Sequence, residues 1–481
     1  MPRAPTCVAL ALVSTLAALG LMTGEASGTD RLPWSELAMP PSLGDDAAAV
    51  PTSLLVEQGR QLFEAKFTRP EGAGRPLATQ AIVPTKRRRP AEQSHQRLAG
   101  PDASACAGCH NDPATGGAGE FVVNAFVSEG FTSADFDSLD PQFANERGTT
   151  HLFGAGLIEL LAREMTRELQ ALRTGALARA RAEGQAVTVR LVTKGVDFGR
   201  LSAEPDGVVD LAGLDGVDAD LVIRPFGQKA VIPSLRHFTV NALNAHHGIQ
   251  AVERFGPRWT GEDDFDGDGV ASEIHAGDVT ALVAFQATLP PPEQIEPDDT
   301  AWRVAASAGE AHFDAWGCAA CHRPTLPLDE LVFSEPGPDH LAGTLRAAEV
   351  ADLLAIDLAA LPWAAALQRD ASGRWLIPLF SDLKRHRIAD ARTPRLGNEL
   401  LAQRFVDRDT FRTAPLWGVA STAPYGHRAD VSTLDEMVGA HGGAADHSRR
   451  AYQSGTAAER SALIAFLKTL QITCTACEPP F

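Results

Sequence analysis

The sequence predicts a mainly α-helical chain of two domains, with a small β-ribbon insertion in the first and an irregular N-terminal extension before it. Three observations lead there. Apolar residues recur at helical spacing in the longest patterned stretches, whereas strict alternation is confined to short pieces. One pentapeptide pattern occurs twice, at 106–110 and 318–322, as it would if one kind of folding unit were used twice. Between the copies, Leu289-Pro290-Pro291-Pro292-Glu293-Gln294-Ile295-Glu296-Pro297 interrupts any helix and reads as a linker at 289–298.

Taken in order, residues 1–28 have the form of a secretory signal: Arg3 in a short basic start, an apolar run over 7–22, then Ala26, Ser27 and Gly28. A periplasmic location is expected, with no membrane span left after cleavage, since a spanning helix uses about 20 apolar residues. In the extension, 29–100, one helix is expected over 53–67 with Leu54, Leu55, Leu62 and Phe63 on its apolar face, and Lys86-Arg87-Arg88-Arg89 in a solvated loop. The first domain, 101–288, carries a helix over 157–183 interrupted at Gly175, and helices over 234–255 and 278–288. Between the first two, alternation at 187–192 and 221–223 predicts the ribbon, at about 186–226. The second domain, 299–481, opens with Asp299 or Thr300 capping a helix over 301–316 and closes with an amphipathic helix over 457–470.

The formal charge of −18 on 481 residues argues against nucleic acid and anionic membrane surface as partners. It suits a basic redox partner, and it equally describes an ordinary acidic surface.

The repeated pentapeptides are Cys106-Ala107-Gly108-Cys109-His110 and Cys318-Ala319-Ala320-Cys321-His322. Two thiols three positions apart can each add across a vinyl group of one haem, and the histidine that follows reaches the iron as its axial ligand. A structural zinc site would instead need four converging ligands. Two covalently bound c-type haems are therefore expected, on Cys106, Cys109, Cys318 and Cys321, with His110 and His322 as proximal ligands in two cytochrome c-like domains. Cys474 and Cys477, in a Cys-Thr-Ala-Cys without a following histidine, read as a local disulfide. What each haem does depends on its second axial position: His or Met closes the iron for electron transfer, and a vacancy opens it to peroxide.

Asp264-Phe265-Asp266-Gly267-Asp268-Gly269 matches the start of a calcium loop, with carboxylates at alternate positions and glycine at the turn. His275 stands where such a loop has its twelfth-position glutamate, and Glu273 lies two residues earlier. The expectation is a shortened calcium site on Asp264, Asp266, Asp268 and Glu273, or an acidic surface turn.

The stretch Thr413-Ala414-Pro415-Leu416-Trp417-Gly418-Val419-Ala420-Ser421-Thr422-Ala423-Pro424-Tyr425-Gly426-His427 resembles the segment after the second haem in bacterial di-haem cytochrome c peroxidases and MauG-type enzymes. Phe411-Arg412-Thr413, His441-Gly442-Gly443-Ala444, Arg224-Pro225-Phe226-Gly227 and Ser234-Leu235-Arg236-His237-Phe238 are similar to the di-haem oxidoreductase branch of that family. The resemblance implies a haem-dependent oxidoreductase that reduces hydrogen peroxide, with electrons relayed between two haems from a small redox protein or a quinol-linked donor. A pure electron carrier, or MauG-like oxidation of a partner protein, are the alternatives. In the family's peroxidases the second haem takes a methionine fourteen residues after the histidine that aligns with His427; here that position is His441, Met437 one helical turn earlier could face the same side, and the resemblance favours His441 as the distal ligand, with His427 itself near that haem. His427-Arg428-Ala429 departs from the family's His-Asp-Gly. For the first haem the family's distal histidine would fall at Phe126, so the iron is open or takes His246, His247 or His151. Glu159 becomes a candidate base for peroxide.

Overall fold

The computed structural model describes residues 35–74, 86, 103–126, 144–339, 343–400 and 402–473. The expected signal, most of the basic run, Cys474 and Cys477 lie outside these residues. Helices α1 (Thr52–Glu64), α2 (Ala155–Glu183), α3 (Leu235–Ala242) and α4 (Ala276–Thr288) precede the linker; α5 (Thr300–Ala315), α6 (Leu434–Ala440), α7 (Asp446–Ser454) and α8 (Ala457–Leu467) follow it.

The mainly α expectation is corrected. Among the described residues 38% are helical and 17% extended, so strands are a substantial part of the fold. They form separate two- and three-stranded sheets. Strands β1 (Gly119–Phe126) and β2 (Ala144–Thr149) make an antiparallel ribbon directly after the first pentapeptide, and β3 (Val187–Thr193), β4 (Val196–Ala203) and β5 (Val209–Asp210) form the insertion. Residues 221–223 are not extended into a strand. In the linker lies β6 (Glu293–Gln294). The second half adds β7 (Leu326–Leu328), β8 (Val332–Glu335), β9 (Leu354–Asp357), β10 (Gln368–Arg369), β11 (Trp375–Ile377), β12 (Arg385–Arg387), β13 (Thr410–Arg412) and β14 (Leu470–Gln471). Pieces of two to four residues carry too little alternation to count, which is why the sequence hides them.

Helix α2 runs unbroken through Gly175, where no neighbour lies within 4 Å. A glycine in a helix costs about 1 kcal/mol relative to alanine, and Leu169, Ala176 and Ala180, all at most 1% exposed, supply packing on either side.

The helix expected in an irregular extension is instead part of the first unit. On α1, Leu55, Val56, Leu62 and Phe63 are buried, and α1 crosses α4 so closely that a Cβ on Gly59 would stand 2.0 Å from Ala281 O. Helices α5 and α8 repeat the arrangement, with Gly309 at the crossing and Ala462 O at 1.9 Å. Each pentapeptide is thus accompanied by a helix pair that meets at a glycine. Phe63 and Phe313, four residues after each glycine, are 2% and 3% exposed and face the region of their own pentapeptide.

One apolar core passes across the linker. It joins Leu55, Leu161 and Leu282 to Leu326, Phe333 and Ile356 of the second half. A second cluster, built on Phe313, Phe380, Leu434, Tyr452, Leu463 and Phe466, surrounds the second pentapeptide. The linker is tied to the C-terminal end by β6, where Gln294 faces Leu470 of β14. Among the described residues no helix is long and apolar enough to cross a membrane.

Candidate haem centres

The two pentapeptides fold alike. Cys106–Gly108 and Cys318–Ala320 are single 3-10 turns, and in each the histidine N–H donates to the first cysteine's carbonyl at 3.0 Å. His110 Nδ1 lies 3.2 Å from Gly117 O, and His322 Nδ1 lies 3.3 Å from Phe380 O. A carbonyl on Nδ1 fixes the tautomer and leaves Nε2 as the metal-binding nitrogen. Behind the first turn the chain folds back so tightly that a Cβ on Gly119 would stand 2.0 Å from Cys109 O. Burial pushes both imidazoles down to about 4 and the Cys106 and Cys318 thiols up to about 12 and about 11. The surroundings are apolar, as a porphyrin requires.

At the second turn, His441 follows the last residue of α6 and faces His322. The ring centres are 6.4 Å apart and inclined at 65°. Imidazole nitrogens sit about 2 Å from a bound metal, so two rings on opposite sides of one ion have centres about 6 Å apart, and the residues fit an iron between them. His441 Nδ1 is 2.7 Å from Met437 O, so its Nε2 is also left for metal. The Met437 side chain packs instead with Ala389, Leu396 and Ala440.

A residue that the sequence did not single out stands beside this turn. His386 Nε2 lies 2.8 Å from Asp382 Oδ2, and the pair joins Cys321 in a group whose ligand atoms lie within 4.8 Å of one another. Burial opposes the charge on His386, but the Asp382 carboxylate and Cys321 outweigh it and hold the imidazole up to about 10.

At the first turn, a π-turn over Leu243–His247 carries both adjacent histidines, with their ring centres 6.4 Å apart. His247 sits at the edge of the first pentapeptide turn, with Nδ1 2.7 Å from Ala103 O and Nε2 3.4 Å from Cys106 Sγ. His246 lies near enough to His110 for like-charge repulsion to lower it, and His110 acts on His151 in the same way. His151 Nε2 is 3.2 Å from Trp417 O, while His151 Nδ1 and Trp417 Nε1 are buried polar atoms without a hydrogen bond among the described residues. Trp417 belongs to the second half and is 2% exposed, so this contact joins the two halves beside the first turn.

Two expected roles do not agree with the positions observed. Glu159, the candidate base, is 1% exposed; one oxygen accepts from Arg163 and the other from Leu235 N at 2.7 Å. It anchors the start of α3 to α2 and is committed to that structural charge pair. His427 stacks on Phe411 at 4.3 Å rather than on the second turn. Its Nε2 lies 3.2 Å from Glu399 Oε1 without the alignment of a hydrogen bond, and Arg147 takes both oxygens of Glu399. Burial, then the cations Arg147, Lys229 and Arg428, push His427 down to about 3, so it is neutral.

Asp264, Asp266 and Asp268 gather carboxylate oxygens within 4.8 Å of one another, an arrangement that could hold a metal ion. Asp264 also accepts backbone N–H groups from Gly267, Asp268 and Gly269, which closes the turn. Glu273 Oε2 accepts from Gln250 N at 2.6 Å.

Residues 367–470 match the family model described as "Di-haem oxidoreductase, putative peroxidase". The match covers the C-terminal part of the chain and shows its similarity to the di-haem oxidoreductases over that stretch. The description of that family supports haem as the cofactor and oxidation–reduction as the class of chemistry. The matched stretch begins after the second pentapeptide and holds His386, Trp417, His427 and His441. Among curated proteins, none matches the chain.

Proposed function

We propose that this chain is a di-haem oxidoreductase, an exported, periplasmic c-type enzyme that reduces hydrogen peroxide. In this reading Cys106 and Cys109 hold one haem and Cys318 and Cys321 the other, with His110 and His322 on the irons and His441 as the second ligand at the second centre. The observation that carries the reading is the His322–His441 pair, two imidazoles 6.4 Å apart with each Nδ1 against a carbonyl. Such a centre is closed to substrate and suited to passing electrons. The position sixteen residues after His110 is Phe126, within β1, so peroxide is assigned to the first centre.

When bound, haem supplies the one-electron redox chemistry. The chain's own contribution is to fix the imidazoles through Gly117, Phe380 and Met437 carbonyls, and to exclude water with Phe63, Phe67, Phe313 and Phe380, each at most 7% exposed. Electrons would come from a small redox protein or a quinol-linked donor, and the charge of −18 favours a basic protein.

A second reading, electron transfer alone, is supported by the closeness of His246 to His110. The spectrum of the oxidised holoprotein separates the two. A high-spin component that responds to one equivalent of hydrogen peroxide supports the peroxidase. If every haem is low-spin and peroxide leaves the spectrum unchanged, the enzyme reading fails and the carrier stands.

A further inference from the structure

Beside the second centre, one side chain joins the buried interior to solvent. Tyr452 on α7 is 2% exposed, and its ring meets Trp316 edge-on at 5.6 Å and 83°. Trp316 lies two residues before Cys318, and both pack on the apolar cluster that contains Tyr452. The phenol points the other way. Its O–H donates to Asp435 Oδ1 at 2.5 Å, and Asp435, on α6, is exposed. Tyr452 and Asp435 form part of the wall of a groove of about 750 Å³, shared with Trp302, Arg460, Ile464 and Lys468.

A phenol gives up an electron readily only if its proton leaves too, so an oxidisable tyrosine needs an electron path on one side and a proton acceptor on the other. Tyr452 has both. The chain contains one other tyrosine. Tyr425 packs on the same cluster, yet its hydroxyl makes no hydrogen bond among the described residues. The groove adds two cations to an acidic chain: Arg460 is partly used by Gly455 O at 2.6 Å, whereas Lys468 is exposed and makes no ion pair among the described residues. A local positive site on a protein of charge −18 draws small anions.

We infer that Tyr452 is a redox relay, and that the groove seats a small anionic aromatic reductant of the hydroquinone class. The inference rests on the peroxidase reading. Tyr452 would give one electron inward past Trp316 to the closed centre at Cys318, which would pass it on toward the first centre where peroxide is reduced, and its proton to Asp435, which leaves a neutral tyrosyl radical. The hydroquinone returns one electron and one proton to the phenol. Two such turns oxidise the hydroquinone to a quinone, and they match the two electrons and two protons that convert one hydrogen peroxide into two waters.

Rapid mixing of the holoprotein with hydrogen peroxide, read by absorbance and freeze-quench EPR, tests the relay. A tyrosyl signal is expected that survives Tyr425→Phe and is lost in Tyr452→Phe, while the haem spectrum still responds. Asp435→Asn, which keeps an acceptor but cannot take the proton, should weaken the signal with unchanged circular dichroism. A haem that reacts without any tyrosyl signal, or a signal lost only in Tyr425→Phe, overturns the relay alone. A haem that ignores peroxide overturns the peroxidase reading and the relay with it. Hydroquinone sulfonate should quench the radical, and Lys468→Glu should slow that quenching by about tenfold while leaving quenching by neutral hydroquinone unchanged. Equal slowing of both donors, or of neither, overturns the groove assignment.

Discussion

At the scale of residues, the His322–His441 pair and Glu335 make separate predictions. Replacing His441 with alanine removes the ring opposite His322 and leaves the proximal side, with Nδ1 on Phe380 O, untouched. One low-spin haem should become high-spin by EPR, with the pentapeptide and its haem retained; an unchanged spectrum would sink the assignment. Glu335, 1% exposed, receives an N–H from Arg236 on one oxygen and, among the described residues, has no hydrogen bond on the other. Burial raises it to about 7, against the pull of Arg236 and with a further push from Glu159. A carboxyl whose folded value lies above its unfolded one stabilises fully below the unfolded value of 4.5, and that contribution is lost as pH rises through about 7. Glu335→Gln lacks this dependence. Relative to wild type it should gain about 1–3 kcal/mol between pH 4.5 and 8 in denaturant unfolding; a constant difference across that range would show that Glu335 does not titrate there.

The elements show where the sequence was readable. The pentapeptides stand out in the sequence because two cysteines and a histidine recur at fixed spacing, and the position of His441 stands out as a distance from His427. His386 was not: only the pairing of β12 with β13, three residues each, carries that segment to the second turn. The role of α1 was hidden by the long stretch between Gly59 and Cys106, compared with the short one between Gly309 and Cys318. A signal was present all the same, since Gly59 and Phe63 repeat the spacing of Gly309 and Phe313. The helix crossings make the test. Gly59→Val or Gly309→Val drives a side chain into a backbone carbonyl at 2.0 or 1.9 Å and should cost about 3 kcal/mol or more. Gly175→Ala, with open space beside it, should instead stabilise by about 0.4–1 kcal/mol. Urea midpoints that moved the same way for all three would contradict the crossing geometry.

At the scale of the whole molecule, the linker separates the two pentapeptides in sequence but does not separate their cores. Phe333, fully buried on β8 of the second half, lies in the same cluster as Leu55 and Leu282 of the first and stacks under Arg163 of α2 at 4.5 Å. Arg236 of α3, with no exposed side chain, pairs at once with Glu253 of its own half and with Glu335 across the linker. Separating the halves would leave the Arg236 guanidinium without its Glu335 partner, and stranding one charge of a buried pair typically costs about 3–5 kcal/mol. The halves should therefore unfold together. Denaturant curves followed by circular dichroism and by the absorbance of each haem should coincide, and Phe333→Ala, although in the second half, should lower the midpoint at the first haem by an amount that reflects about 3–5 kcal/mol. Two resolved transitions, with the first haem unaffected by Phe333→Ala, would mean that each half keeps its own core and that electron exchange must cross a movable interface rather than a packed one.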